Sequence, residues 1–329
     1  MISILVLVFG LALILGMCEL FTNAVERVGK RFDLGSGPVG SVLAAVGTAL
    51  PETLVPILAL LVSHDPKAQD IGVGAIAGAP FMLATLGFAV TGAGVLFFAM
   101  LGKRPWTMDL ALGTVKRDLG FFLAFYGMAV AATFIPWFAV RAVIAALLVI
   151  GYVVYVRCTF ADEANKDGDV DRLILGRFLP NGFALEIIQA VLAVGGILAG
   201  AWLFIDGVSQ LSAQLAAPAL LVSIIVTPIA TELPEKFNSV LWTRRGKDSL
   251  ALGNMTGAMV FQCCFPVALG LVCSPWHLTG NTLLSAIIAL TSAAFVLAWV
   301  RIRGSLHPGV LLGCGGLYLV FIIRALVTR

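Results

Sequence analysis

Two short stretches of this sequence contain the residue types that bind cations inside a membrane. The first reads Gly-Thr-Ala-Leu-Pro-Glu over 47–52, and the second reads Ala-Thr-Glu-Leu-Pro-Glu over 230–235. Each places a glutamate directly after a proline within a long apolar run. A carboxylate in a membrane span costs about 2.5–3.5 kcal/mol on insertion scales, so such residues usually serve a function. A helix broken by proline beside an acid is typical of a cation site.

The composition requires that these stretches lie in a membrane protein. The chain has 329 residues, of which 60% are hydrophobic and 12% are charged, and its net charge is +3. A soluble domain cannot bury so much apolar surface, and so small a charge does not favour nucleic acid as a partner. The apolar runs predict about ten membrane-spanning helices and thus an all-α, polytopic fold. They fall at about 2–20, 38–62, 71–101, 119–138, 140–157, 183–205, 216–242, 249–273, 280–300 and 307–327.

The lysines and arginines predict how these spans are oriented. Most of them follow the odd-numbered spans, as in the segments 27–31, 103–117, 157–177 and 244–247. Because basic loops stay in the cytoplasm, we expect both termini to lie outside the cell membrane. The N-terminal run lacks a basic region and a cleavage site, and is read as the first span rather than as a signal peptide.

The two Pro-Glu stretches predict an inverted repeat. They lie in the second and seventh spans, and an offset of five spans makes them cross the membrane in opposite directions. Small residues follow each stretch at matching positions, namely Gly74 and Gly78 in one copy and Gly253 and Gly257 in the other. We therefore divide the chain into a first five-helix repeat, a cytoplasmic linker and a second five-helix repeat. Their ranges are 1–157, 158–180 and 181–329, with the repeated motif regions at about 38–90 and 217–272.

This pattern resembles the cation/calcium exchanger superfamily, which includes the sodium/calcium exchangers. The resemblance covers about a third of the chain, through the two Pro-Glu stretches and the glycine-containing segments after them. It implies that Glu52 and Glu235 bind the transported cation, and that oxygen atoms of Thr48 and Thr231 complete its shell. Oxygen donors of this kind suit hard cations such as Ca²⁺ or Na⁺. The resemblance implies no cofactor other than the transported ions.

Several positions depart from the motif of that superfamily. Glu232 stands in the place of a serine, and Leu83 and Gln262 stand where an Asn and an Asp line the site. Glu232 and Gln262 therefore join the candidate cation-binding residues. Lys236 follows Glu235 directly, and either points away from the site or pairs with Glu232 one turn earlier. Because the serines and the Asn/Asp pair are missing, we favour H⁺ over Na⁺ as the coupling ion, with Na⁺ as the alternative.

The linker between the repeats resembles an EF-hand loop through its first nine positions. Its ninth position is an oxygen donor and its sixth is a glycine, but Ile174 stands where position twelve needs a bidentate glutamate. The segment is interpreted as a candidate regulatory Ca²⁺ loop, with a solvated acidic linker as the alternative. The donor residues are Glu163, Asn165, Asp167, Asp169 and Asp171.

Taken together, these features predict a secondary antiporter that exchanges a divalent cation, Ca²⁺ foremost, for H⁺ or Na⁺ by alternating access. An uncoupled channel or uniporter on the same site, or an exchanger for a different cation, remains as the alternative. An intramembrane enzyme is disfavoured, because the chain has no His-Glu-x-x-His, no Gly-x-Ser-x-Gly and no paired intramembrane aspartates. The partners expected are inorganic cations and the lipid bilayer, and the oligomeric state is left open.

Overall fold

The computed structural model describes residues 2–32, 53, 56, 60, 66–161, 172–180, 182–214 and 232–327. Within these ranges the regular secondary structure is helical, so the predicted all-α, polytopic fold is confirmed. A π-helical segment, Leu83–Gly87, joins the second helix to the third without a break, and short 3-10 turns occupy Ala132–Phe134 and Leu175–Arg177. The helices are α1 (Ile2–Arg31), α2 (Pro66–Met82), α3 (Phe88–Met100), α4 (Leu112–Ala131), α5 (Phe138–Ala161), α6 (Phe183–Gln214), α7 (Leu233–Arg244), α8 (Asp248–Cys273), α9 (Gly280–Arg303) and α10 (Pro308–Val327).

Six stretches of the described chain are long and apolar enough to cross a membrane. Each coincides with a predicted span, whereas the predicted second span lies almost entirely outside the described residues. The exact number of spans, and the division into two repeats and a linker, therefore stay predictions. The six stretches are Gly72–Met100, Phe138–Ala161, Phe183–Gly200, Asp248–Cys273, Gly280–Arg303 and Pro308–Ala325.

Helix α8 forms the centre of the described structure. Nearly every residue from Leu250 to Leu271 is buried, because α2, α4, α5 and α7 all pack around it. Small residues such as Gly253 and Gly257 line part of α8, and small side chains let neighbouring helices approach closely in a membrane. This arrangement holds the start of α7 against the middle of the protein.

Helices α1 and α6 form a pair that packs along most of its length. Near the end of α1, Arg31 donates two hydrogen bonds, at 2.8 and 2.9 Å, to the buried carboxylate of Glu186 on α6. One contact of the pair with the rest of the protein is at Glu26 of α1, whose carboxylate accepts hydrogen bonds from Trp242 Nε1 at 2.5 Å and Lys247 Nζ at 3.0 Å. A polar contact therefore links this pair to the last turn of α7.

Helix α4 lies earlier in the chain than the predicted fourth span at 119–138. It begins at Leu112 and ends at Ala131, and a 3-10 turn follows it. Pro136 disfavours helical geometry in the residue before it, which explains the early end. At the start, α4 includes Arg117 and Asp118, whose side chains form an ion pair at 3.3 Å. The sequence-based boundary excluded these charges because only apolar residues were counted.

Candidate functional site

The first turn of α7 places two glutamates of the second Pro-Glu stretch in the protein interior. Helix α7 begins at Leu233, directly after Glu232, and Pro234 lies in its first turn, where a missing N–H costs no hydrogen bond. Both Glu232 and Glu235 have 0% exposed surface. Carboxylates at the beginning of a helix interact favourably with its unpaired N–H groups and its dipole. The helix start that the proline predicts is thus the feature that positions both carboxylates.

Glu232 forms a buried ion pair with Lys236. The distance from Lys236 Nζ to Glu232 Oε2 is 2.7 Å, and the lysine residue is only 6% exposed. The two residues are one helical turn apart, so they lie on the same face. The sequence allowed Lys236 either to point away from the site or to pair with Glu232, and the structure shows the pair. The other carboxylate oxygen, Glu232 Oε1, has no hydrogen-bond partner among the described residues.

Helix α8 holds α7 in place through two hydrogen bonds. The Ser239 hydroxyl donates to the carbonyl of Ala251 at 2.9 Å, and Asn254 Nδ2 donates to the carbonyl of Glu235 at 3.4 Å. Asn254 and Ser239 are fully buried, as is Asn238 on the same helix as Ser239. The backbone beside the Glu235 carboxylate is therefore fixed to the most buried helix of the protein.

Helix α10 contributes a buried tyrosine to the protein interior. Tyr318 stacks on Phe81 of α2, and their ring centroids are 5.6 Å apart. Tyr318 is buried, and its hydroxyl has no hydrogen-bond partner among the described residues. The sequence analysis did not identify Tyr318, because a tyrosine in the middle of an apolar run has no local signal that separates a site residue from a core residue.

Gln262, the remaining described candidate, is buried in the middle of α8. It is 1% exposed, and both atoms of its amide lack hydrogen-bond partners within the part of the chain that the structure describes. An unpaired buried amide is costly, by about 1–3 kcal/mol, so such a group usually has a role beyond packing. Its counterpart in the predicted first repeat, Leu83, begins the π-helical segment after Pro80 and is fully buried. The two predicted repeats therefore differ at this position, with a polar amide in one and an apolar side chain in the other.

The other predicted site residues lie outside the described residues. These include Glu52 and Thr48 of the first Pro-Glu stretch and Thr231 of the second, so their expected convergence with Glu235 stays a prediction. Within the described ranges no three His, Cys, Asp or Glu side chains come together as a metal site would require. The linker carboxylates are also outside them, and the Ca²⁺ loop stays a prediction. Those linker positions are Glu163, Asn165, Asp167, Asp169 and Asp171.

Another buried carboxylate, Asp118 of α4, was missed by the sequence analysis. It is fully buried and accepts hydrogen bonds from Thr256 Oγ1 of α8 at 2.7 Å and from the Tyr155 hydroxyl of α5 at 3.1 Å. Arg117 lies beside it, at 3.3 Å from its Oδ1 atom. Asp118 therefore links α4 and α5 to α8.

The helical periodicity of α4 contains the signal that identifies Asp118. Val115, Asp118, Leu119 and Phe122 follow the spacing of one helix face, and all four are buried. An acidic residue within an otherwise apolar stripe is a buried carboxylate rather than part of a solvated loop. This interpretation requires that the helix begin before Lys116. The predicted span began only at residue 119 and therefore excluded it.

Comparison with known proteins relates this geometry to one family. Residues 2–161 and 185–327 match the model of a family described as sodium/calcium exchanger protein. An uncharacterized membrane protein of Methanocaldococcus jannaschii is 21% identical over 290 residues, which are 86% of this chain and 85% of that protein. A putative antiporter, CaxA of Alkalimonas amylolytica, is 22% identical over 271 residues, or 81% of this chain and 79% of its own.

The fold is likewise similar to that of a solved exchanger. The sodium-calcium exchanger NCX_Mj, in crystals soaked with Na⁺ and Ca²⁺, superposes with a TM-score of 0.75. The superposition covers 98% of both chains at 18% sequence identity. This likeness concerns the fold, and it extends over essentially the whole chain.

Proposed function

Because this chain belongs to the sodium/calcium exchanger protein family, we propose that Glu235 and Glu232 form the second-repeat half of its cation site. The protein is a membrane cation antiporter, as its family indicates. We assign Ca²⁺ as its foremost divalent substrate and H⁺ or Na⁺ as the ion carried in exchange. Glu52, Thr48 and Thr231 complete the site from the two Pro-Glu stretches.

The observation that carries this proposal is the complete burial of two carboxylates at the start of α7. Moving an ionised carboxylate out of water costs several kcal/mol unless a cation or hydrogen bonds compensate for it. Lys236 compensates at Glu232. A divalent cation held between Glu235 and Glu52 would add to the groups that stabilise the buried carboxylate of Glu235, and the amide of Gln262 offers a further oxygen donor. Carboxylate and amide oxygens suit Ca²⁺ better than softer metals.

Alternating access fits the way in which α1 and α6 are attached. These two helices pack on each other along most of their length, and the Arg31–Glu186 contact holds their ends together. Polar contacts of Glu26 with Trp242 of α7 and with Lys247, directly before α8, connect them to the other helices. We propose that α1 and α6 move as one unit against the remaining helices, so that the site opens to each side in turn. An uncoupled channel is not favoured, because the family consists of exchangers.

We infer the identity of the coupling ion from the oxygen donors that the candidate site offers. Gln262 is neutral and Leu83 is apolar, so one negative charge and one oxygen donor that a sodium site would use are absent. Protons that bind to the neighbouring carboxylates would neutralise the site after it has released Ca²⁺, as sodium would. The site could then open again to the other side of the membrane. In vesicles loaded with ⁴⁵Ca²⁺, an imposed pH gradient is expected to drive Ca²⁺ flux when no sodium is present. Flux that ignores pH and follows a sodium gradient would refute H⁺ coupling.

The orientation in the membrane is a separate prediction. The basic residues place the linker in the cytoplasm of the cell and both termini outside. A reporter inserted at Asp167 is therefore expected to be active on the cytoplasmic side, and one fused after Arg329 on the external side. A cytoplasmic C-terminus together with a cytoplasmic linker would be incompatible with five spans after the linker. That result would remove the inverted repeat from which the second half of the site is inferred.

A further inference from the structure

A cavity lies between α1, the segment that precedes α6, and the end of α7. Its volume is about 400 Å³, which is within the range of sites for small ligands. Glu232, Glu235 and Gln262 are not among its lining residues, so the cavity is separate from the described part of the candidate cation site. The lining residues that carry polar groups include Glu19, Asn23, Arg172, Arg177, Trp242 and Arg245.

The charges that face this cavity favour an anion. Arg172, Arg177 and Arg245 contribute three positive charges, and Glu19 contributes one negative charge. Within the described part of the chain, the side chains of Arg172 and Arg177 form no ion pair and no hydrogen bond. All three basic residues are arginines, whose planar group of N–H donors fits two oxygens of a phosphate at once, unlike the single ammonium of lysine.

The wall formed by residues 172–177 is held in place by two buried amides. Asn23 of α1 donates a hydrogen bond to the carbonyl of Arg172 at 3.1 Å and accepts one from the Ile174 N–H at 2.9 Å. Gln189 of α6 accepts a hydrogen bond from the next N–H along the chain, also at 2.9 Å, and donates one to Asn23 Oδ1. The backbone that carries two of the arginines is therefore fixed to both α1 and α6, which lowers the entropic cost of binding a ligand.

The opposite wall is formed by the end of α7 and is equally well fixed. Trp242 is fully buried, and its Nε1 atom donates a hydrogen bond to Glu26. Arg245 follows at the C-terminus of the helix, where its N–H donates to the carbonyl of Trp242 at 3.0 Å. The arginines of the cavity thus come from two separate parts of the structure, and an anion that contacts both walls would join them.

We propose that this cavity binds a phosphate group, which Arg172 and Arg177 hold from one wall and Arg245 holds from the other. A phosphate monoester carries a charge of about −1.5 to −2 at pH 7, which balances three arginines opposed by one glutamate. Its oxygens can accept hydrogen bonds from several arginines at the same time. A soluble phosphate and the headgroup of phosphatidic acid offer the same chemistry. The inference does not depend on which cations the protein exchanges.

The first test is isothermal titration calorimetry of the purified full-length protein in detergent with inorganic phosphate, against chloride at matched ionic strength. Saturable binding by the wild type is expected. The double variant Arg172→Gln/Arg177→Gln is expected to bind phosphate at least about tenfold more weakly, because it loses two charge-assisted contacts. Glu19→Gln removes the opposing charge and is expected to bind phosphate more tightly, an effect that a purely structural role would not produce.

The matched control is Arg301→Gln. Arg301 is an exposed arginine in the last turn of α9 and does not line the cavity, so its replacement should leave phosphate binding unchanged. Equal losses in this control and in the double variant would show a general effect of net charge, and would overturn the site.

The second test identifies the source of the phosphate. Native mass spectrometry of the full-length protein is performed with phosphatidic acid and, separately, with phosphatidylcholine. Retention of phosphatidic acid alone, without calorimetric binding of inorganic phosphate, would assign the cavity to a lipid headgroup. Binding of inorganic phosphate would assign it to a soluble ligand. If the protein bound neither, or if the double variant bound as the wild type does, the inference would be wrong.

The wild type provides a test that does not require any variant to fold. Hydrogen–deuterium exchange is measured by mass spectrometry with and without the phosphate ligand that binds. A ligand held between the two walls is expected to slow amide exchange in both 172–177 and 241–245. Protection of one wall alone, or of neither, would overturn the proposed bridging site.

Discussion

Replacing Glu235 by glutamine is expected to abolish divalent-cation exchange without unfolding the protein. Glutamine has nearly the same shape, so the packing of the first turn of α7 is kept, and the side chain stays buried. The charge that attracts the cation is lost, however, and a neutral amide does not replace a carboxylate in a Ca²⁺ site of few ligands. We expect at least about a hundredfold loss of ⁴⁵Ca²⁺ exchange, equivalent to roughly 2.7 kcal/mol. The same change at Glu52 should have the same effect if the predicted inverted repeat places the two glutamates in equivalent positions.

The matched control for this change is Glu19→Gln. Glu19 lies on α1 and is exposed, so the identical chemical change should leave exchange near the wild-type rate. Elution as a single peak on size-exclusion chromatography would show that each variant is folded. A folded Glu235→Gln protein that exchanges Ca²⁺ at the wild-type rate would remove Glu235 from the site.

The helices could be predicted from the sequence where a long apolar run ends at a residue that terminates a helix. The bounds of α8 and α9 agree with the predicted spans at 249–273 and 280–300 within a few residues. Gly304 ends α9 in a left-handed conformation, with a φ of 62° that glycine adopts without cost. Hydrophobicity thus determines which segments are helices, and local chemistry determines where they stop.

The charged and polar contacts between helices were harder to predict. The sequence left two arrangements for Lys236, because an i, i+4 spacing permits an ion pair but does not require it. Burial by the surrounding helices decides the matter, since an unpaired ammonium group could not remain at 6% exposure. The contact of Tyr318 with Phe81 likewise depends on the packing of α10, which no local pattern contains.

Asp118 is the opposite case. The sequence contains a signal for its burial, but a search for apolar runs alone does not detect that signal. Lys116, Arg117 and Asp118 form a charged run of the kind that normally marks a loop. Their neighbours at Val115 and Leu119 nonetheless continue the apolar face of α4. A helix can include such a run when one charge turns inward and finds hydrogen-bond donors, as Asp118 does with Thr256 and Tyr155.

The second large effect is expected on stability, at this same carboxylate. Asp118→Ala removes the acceptor of hydrogen bonds from Thr256 and Tyr155, and hydrogen bonds to a charged group are worth about 1.5–3 kcal/mol each. Losing the charge partner of Arg117 adds to this cost, because breaking a buried ion pair costs about 3–5 kcal/mol. We expect a loss of roughly 3 kcal/mol or more in the free energy of unfolding. Thermal unfolding of the purified protein in detergent, followed by tryptophan fluorescence, measures the change.

Graded variants test whether Asp118 acts through these hydrogen bonds. Asp118→Asn keeps an acceptor oxygen and should lower the unfolding midpoint less than Asp118→Ala does. Thr256→Val and Tyr155→Phe each remove one donor, and their effects should largely disappear when Asp118 is already alanine, because coupled residues are not additive. Asp109→Ala is the matched control, since that aspartate is exposed in the loop before α4 and its loss should change the midpoint little. If Asp118→Ala melted with the wild type, the link between α4, α5 and α8 would have to come from apolar packing alone.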